Sequence, residues 1–483
     1  MTLNLLVAGL LFTPLAWAVV SLLIDFRAGR WLAGAGMALQ AGVALGLVGA
    51  LAGQGGFEYA LGDWPPPLGI GLRVDGLSLT LVLLTTLVAS ACGLHAAGYL
   101  DADGPGQRWF WPLFWFLWAG INGVWLAADI FNIYVALELV TLAAVGLVAL
   151  SGEPPALRAA LRYLFAALAG SLAFLLGVAL LYGAYGTLSL RLLTEAVQAE
   201  GTGSAALALM FAGLAVKTAL FPLHAWLPPA HGIAHAPVSA LLSSLVVKAS
   251  SYVAIRLWLD LGPSLGSSGG ALFMGLLGTA AIVWGSWMAW CQTGLKRLVA
   301  YSSVGQVGYL FLLFPLTFEV SAQVADLARQ GVMLHLISHA LAKAALFMAA
   351  GNLILAVGDG RIVSLAGAGR HLPLSLFALG LVAVSIMGLP PSGGFTAKWL
   401  LLQAAWQAGQ WWWALVVLVG GLLSALYIFK VFGACYVDRA SGEDFHYPSR
   451  WLDLWPMGLA LIALGLGLVA GFPLNWMGPG GTP

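Results

Sequence analysis

Long apolar runs separated by short polar connections repeat along the entire chain. A helix that crosses a bilayer needs about 20 mostly apolar residues. Segmenting on that rule places about fourteen spans, centred near residues 14, 42, 87, 120, 140, 172, 214, 248, 281, 306, 342, 388, 423 and 462. The pattern predicts an all-α polytopic membrane protein. Only the stretches around 54–74 and 357–372 leave room for structure beyond short connections. The first run, Leu3 to Ile24, follows no basic residue and is long enough to span, so it reads as a retained helix rather than a signal peptide.

Two of the runs are interrupted. One reads Lys217-Thr-Ala-Leu-Phe-Pro222-Leu-His224 and continues to Leu227-Pro228-Pro229; the other reads Gly388-Leu-Pro390-Pro391-Ser-Gly-Gly394 and runs on to Lys398. Proline removes an amide donor and clashes with the preceding turn, so the helix opens there. Open backbone at membrane depth is tolerated only where protein buries it or a wet cavity receives it. Two such breaks in corresponding positions suggest an internal repeat with a pathway at each break, against the alternative of simple packing kinks.

Composition narrows the function. Of the 483 residues 61% are hydrophobic and only 8% charged, whereas a soluble domain carries roughly 25% charge. Net charge is +1 with no basic tail, which gives nucleic-acid binding no support. Cys92, Cys291 and Cys435 lie far apart in apolar segments and read as small core residues; cluster, haem and structural zinc sites have no ligand spacing to build on.

Basic residues orient the chain. With both termini outside, the cytoplasmic connections hold eleven: Arg27, Arg30, Arg108, Arg158, Arg162, Lys296, Arg297, Arg361, Arg370, Arg439 and Arg450. The outer connections hold three, Arg73, Arg191 and Arg329, a clear positive-inside bias. The remaining six, Lys217, Lys248, Arg256, Lys343, Lys398 and Lys430, fall within expected helices. Arg256 is near a helix end and can snorkel, as can Lys430.

Glu138 is the one acidic residue well inside a span, in Asp129-Ile-Phe-Asn-Ile-Tyr-Val-Ala-Leu-Glu138. A charge at the bilayer centre costs at least ~2.5–3.5 kcal/mol. Lys217 is its expected partner. Such a pair can separate when a neighbouring charge changes, the elementary step of a charge-coupled pump; the competing reading is a static ion pair. Lys217, Lys248, Lys343 and Lys398 sit at similar depth on different helices. A buried lysine can lose and regain its proton, whereas arginine stays charged, so the choice of lysine points to proton exchange, against the alternative of snorkelling. His335, His339 and Lys343 follow at i, i+4 and i+8 and share a helix face. A proton wire, helix packing and metal binding all fit that stripe, but zinc wants a third ligand and position 336 is Leu. His224, His231 and His235 surround the first break and its following cytoplasmic loop, as uptake-side proton carriers or as ordinary surface histidines.

The stretches Asp129–Leu142, Lys217–Pro228, Ala236–Lys248, Lys296–Tyr309, His335–Gly351 and Gly388–Lys398 resemble the antiporter-like subunits of the complex I and Mrp superfamily. The resemblance covers about residues 70–436. It implies a fourteen-helix fold with two inverted five-helix repeats and discontinuous helices seven and twelve. The corresponding division is an N-terminal three-helix segment (1–100), repeats at 101–260 and 270–437, and a C-terminal helix (438–483). By position, Glu138 and Lys217 resemble the family's glutamate–lysine pair, Lys248 its connecting lysine, and His335, His339 and Lys343 its central-axis residues. Lys398 resembles the terminal site of helix twelve. Lysine there and the chain length suggest the Mrp D-type branch, while Thr218 and the His231-Gly-Ile-Ala-His-Ala-Pro237 loop resemble the redox-complex branches about as well.

Three functions follow. The first is a proton-translocating subunit of a multisubunit sodium/proton antiporter in a bacterial inner membrane. The second is a proton-pumping membrane subunit of an NADH:quinone oxidoreductase or membrane-bound hydrogenase. The third is a scaffold whose polar residues only hold helices together. In the first two the partners are other membrane subunits, protons, sodium and lipid. No cofactor and no metal is expected in this chain.

Overall fold

A computed structural model of the chain describes residues 3–51, 56–66, 69–101, 104, 106–197, 201–438 and 445–477; Arg439 of the charge count lies outside them. Helices dominate, and among the described residues ten are long and apolar enough to cross a membrane, from Leu3–Ser21 and Phe26–Leu51 to Ala322–Val357 and Trp411–Cys435. The other four expected centres, 120, 214, 388 and 462, fall on shorter helices or at a break. Phe110–Leu126 has 17 residues and Arg450–Gly465 has 16. The remaining two are the interrupted runs.

At the first interruption the Gly201–Lys217 helix stops at the lysine and the chain resumes as Leu227–Ile233. The Trp226 indole donates to Val216 O at 2.8 Å, tying the interruption back to the last turn of the broken helix. At the second, Pro373–Met387 gives way to Gly393–Gln407. Gly388 ends the first piece with φ +82, the left-handed conformation that suits glycine. Ser392 caps the second piece by accepting from Phe395 N at 3.2 Å.

Three helices form the interior: Ala236–Leu265, Leu295–Thr317 and Ala322–Val357 are each buried over most of their length. Glycine lets backbones close up around them. A Cβ on Gly213 would sit 2.3 Å from Gly170 O, and one on Gly308 would sit 2.3 Å from Gly278 O. Outside this core, Pro154–Tyr185, Ser268–Cys291 and Trp411–Cys435 turn Phe165, Leu172, Phe273, Leu276, Leu422 and Phe429 outward, an apolar surface suited to lipid.

Three expectations are corrected. The fold is not wholly helical, because Phe57–Ala60 and Gly71–Val74 pair as an antiparallel ribbon in the 54–74 stretch. Cys291 is exposed, unlike Cys92 and Cys435, because it ends a helix whose outer side faces away from the core. Arg256 does not snorkel. It is buried and donates to Asp75 Oδ2 at 2.6 Å, with Asp260 Oδ2 3.5 Å from its Nε. Arg73 joins the same cluster, 3.1 Å from Asp75. Arg73, Arg191 and Arg329, the three arginines of the expected outer connections, all line one cavity of about 690 Å³ with Arg256.

Candidate functional site

Glu138 and Lys217 come from helices Ile130–Val148 and Gly201–Lys217 and meet as an ion pair, Nζ to Oε1 3.0 Å. Lys217 also donates to Thr141 Oγ1 at 3.0 Å, and the Ser171 hydroxyl donates to Glu138 Oε1. Thr141 lies one turn from Glu138 on the same helix, so its hydroxyl reaches the same point. Lys217 is 6% exposed and the Glu138 side chain 19%, so each carries its charge in a largely desolvated place where the other is its counter-ion.

A second group gathers side chains from several helices. The Ala236–Leu265 helix contains a π-turn at Leu242–Val246, and within it the Ser243 carbonyl accepts from Lys248 Nζ at 2.5 Å. The Ser243 hydroxyl meets the Ser303 hydroxyl at 2.8 Å. The adjacent Ser302 accepts from Lys343 Nζ, which also donates to Val299 O at 3.1 Å. Two fully buried lysines on different helices are thus joined through neighbouring serines of a third.

Further along the Leu295–Thr317 helix, Gln306 O lies 3.0 Å from His335 Nε2 and the Tyr309 ring packs on His335 with centroids 5.1 Å apart. His335 and His339 stack at 5.5 Å. His339 lies within the electrostatic reach of Lys248, Lys343, His335 and Lys398, and neither of its ring nitrogens has a hydrogen-bond partner. Lys398 Nζ lies 4.6 Å from the Tyr309 ring centroid. It donates to Ile386 O at 2.8 Å and Met387 O at 3.3 Å. Those carbonyls end the Pro373–Met387 helix, so the second break offers an ammonium the negative pole of a helix dipole.

The expected residues therefore fall into two groups, Glu138–Lys217 and Lys248–Lys343–His339–His335–Lys398. No hydrogen bond among the described residues joins Lys217 to Lys248. Of the three histidines near the first break, His224 is buried in the interruption against Phe221 and Tyr301. His231 is not on a loop: it is fully buried in Leu227–Ile233, its ring stacked on Phe347 at 4.9 Å. His235 stands half-buried just before Ala236. Lys430 donates to Trp290 O and Gln292 O, at 2.6 and 2.7 Å, and so caps a neighbouring helix end.

Sequence reading missed the polar lining. Ser302, Ser303, Gln306 and Tyr309 form a stripe at i, i+1, i+4 and i+7 within an apolar helix, a spacing that marks one face. His95, the one histidine of the Gly76–Tyr99 helix, gives no local signal either. Among the described residues no group of three His, Cys, Asp or Glu side chains is arranged to hold a metal ion.

Fold and site define a polytopic membrane protein with buried ionisable groups strung along its interior. The chain belongs to the NADH:quinone oxidoreductase/Mrp antiporter transmembrane family, whose profile matches residues 127–424. It is 36% identical over 425 residues to NADH-quinone oxidoreductase subunit N of Desulforudis audaxviator, covering 87% of this chain and 83% of that one. It is 30% identical over 384 residues to the D-type subunit of the Na(+)/H(+) antiporter of Alkalihalophilus pseudofirmus, covering 77% and 74%. Among solved structures, a chain of the membrane-bound sulfane sulfur reductase, an archaeal respiratory membrane complex, superposes with TM-score 0.89 at 27% identity, covering 97% and 96%.

Proposed function

We propose that this chain is a proton-translocating subunit of a multisubunit membrane complex and that Glu138, Lys217, Lys248, His335, His339, Lys343 and Lys398 carry the protons. The carrying observation is the line of buried lysines, each held by neutral oxygens or by a single carboxylate. A lysine held by carbonyls and hydroxyls can give up its proton without leaving a buried carboxylate unpaired. Lys217 differs, because deprotonating it strands Glu138, and opening that pair changes the charge felt further along. The ion pair is then the coupling element and the carbonyl-bound lysines are the exchange sites. His224, His231 and His235 supply protons from the cytoplasmic side.

In this reading the helices make fourteen spans, with repeats at 101–260 and 270–437 and both termini outside a bacterial cytoplasmic membrane. Each of the two broken helices supplies an exchange site. Neighbouring membrane subunits and lipid cover the apolar flanks.

Two sources of drive are consistent with the relatives. Exchange against sodium is supported by the similarity to D-type subunits of Na(+)/H(+) antiporters. Drive by electron transfer in other subunits is supported by the 36% identical NADH-quinone oxidoreductase subunit N. Proteoliposomes holding the co-purified complex and an internal pH dye test both. Proton movement on a sodium gradient supports antiport, and movement only with an electron donor and acceptor supports the redox assembly. If Glu138→Gln moves protons as fast as the wild type under either drive, the relay is wrong.

A further inference from the structure

His95 lies fully buried on the Gly76–Tyr99 helix, with Nε2 2.9 Å from Asn352 Oδ1. Asn352 is also fully buried and belongs to the helix that carries His335, His339 and Lys343. Its Nδ2 donates to Leu452 O at 3.0 Å and to Asp453 Oδ1 at 3.2 Å. Asp453 stands half-buried in the first turn of Arg450–Gly465 and also accepts from the Ser375 hydroxyl. Four helices thus converge on one hydrogen-bonded line, which runs from a partly exposed carboxylate to a buried imidazole.

The bonding fixes the chemistry. A backbone carbonyl only accepts, so Leu452 O sets the amide nitrogen of Asn352 on its own side and turns Oδ1 toward His95. An amide oxygen also only accepts, so His95 Nε2 carries the hydrogen and Nδ1 is the basic lone pair. That Nδ1 is buried and has no partner. The same end of the molecule holds other unpartnered imidazole nitrogens, both of His231 and Nε2 of His235. Tyr99 connects the two places: its ring stacks on His95 at 5.3 Å and, with Ala236 next to His235, it packs against Gly351. Buried imidazole nitrogens that no protein group satisfies call for water. A clamp fastening the C-terminal helix would need the hydrogen bonds but neither a free imidazole nitrogen nor a carboxylate.

We infer that His95, oriented by Asn352 and backed by the Asp453 carboxylate, is a further proton-accepting residue that feeds the buried lysines. His95 Nδ1 takes a proton from a hydronium ion, which is left as water, and becomes imidazolium, whose charge the carboxylate balances across Asn352. Nδ1 then releases the proton to a second water as hydronium, and the neutral imidazole is restored. Only N–H and O–H bonds form and break. Asn352 is a positioning residue. The assignment rests on the proton-relay function proposed above.

The test compares His95→Gln, Asp453→Asn and Asp453→Glu with the wild type in the reconstituted complex, with Glu138→Gln alongside. Glutamine at 95 can still donate to Asn352, and asparagine at 453 can still accept from Asn352 and Ser375, so a clamp survives both changes. The expected result is an assembled complex whose proton flux falls about fivefold or more in His95→Gln and Asp453→Asn, with Asp453→Glu keeping more than half the wild-type rate. Flux above half of wild type in the first two overturns the inference. Should one of them not assemble, the other decides. If Glu138→Gln loses flux while both keep it, only the His95 site falls; if Glu138→Gln also keeps it, the relay itself falls.

Discussion

Lys217 Nζ rests 3.0 Å from Glu138 Oε1, although 79 positions separate the two in the chain. Among the described residues the ammonium's one other hydrogen-bond partner is the Thr141 hydroxyl, also at 3.0 Å. Few shared neighbours means that removing one charge leaves the other without a counter-ion. Groups that act as a unit give non-additive losses.

Lys217→Ala and Glu138→Gln are each expected to reduce proton flux about tenfold or more, and the double variant to lose no more than the worse single one. Flux measurements on the three purified complexes check this. Multiplying losses in the double variant would mean that the two residues act independently.

Gly388→Ala tests the second break. The position has φ +82, and a Cβ there would come 2.6 Å from Lys398 Cδ. Alanine in a left-handed conformation costs roughly 1–2 kcal/mol, and the methyl displaces the lysine from the Ile386 and Met387 carbonyls. The expected outcome is a folded complex, with its unfolding midpoint lowered by a few degrees, whose flux drops several-fold. Unchanged flux would show that the position of Lys398 does not matter.

The cluster of Arg73, Arg256 and Asp75 has its own pH signature. Asp75 lies just before the Gly76–Tyr99 helix, where burial alone would raise its pKa, but Arg256, the Ser78 amide and Arg73 outweigh that and hold the carboxyl below its ordinary value of 3.8. A depressed carboxyl pKa contributes stability that is present above the ordinary value and lost as pH falls through the folded one. Asp75→Asn should therefore lower the stability of the detergent-solubilised protein at pH 7 by about 1–3 kcal/mol. The gap from wild type should close as the pH falls through the lowered carboxyl pKa of the folded state, below 3.8. Thermal unfolding of both proteins across pH checks this, and a gap that persists in acid would contradict the ion-pair account.

Much of the fold was legible because a bilayer imposes a coarse rule, and runs such as those now seen as Ala322–Val357 and Trp411–Cys435 satisfy it without ambiguity. Both breaks were legible because Pro222 and Pro390–Pro391 cannot continue a helix. The Glu138–Lys217 contact was legible from rarity, since each is a charge that a span does not readily tolerate. What escaped depended on distant partners. Arg256 looked able to snorkel until Asp75, 181 positions away, appeared beside it. His95 meets Asn352 across 257 positions, and no local pattern encodes that. The serines that join Lys248 to Lys343 are ordinary small residues in a helix, and only packing makes them a bridge.

Lysine and arginine carry the same charge but differ in whether they can release a proton when buried, which makes one substitution the sharpest probe. Proton flux should be measured in proteoliposomes holding the complex with Lys343→Arg, after size-exclusion chromatography confirms assembly. Transport lost by about tenfold or more in an intact complex is the outcome predicted for a residue that must shed its proton. Flux at the wild-type rate, with a permanent cation at position 343, would contradict proton passage through the buried lysines.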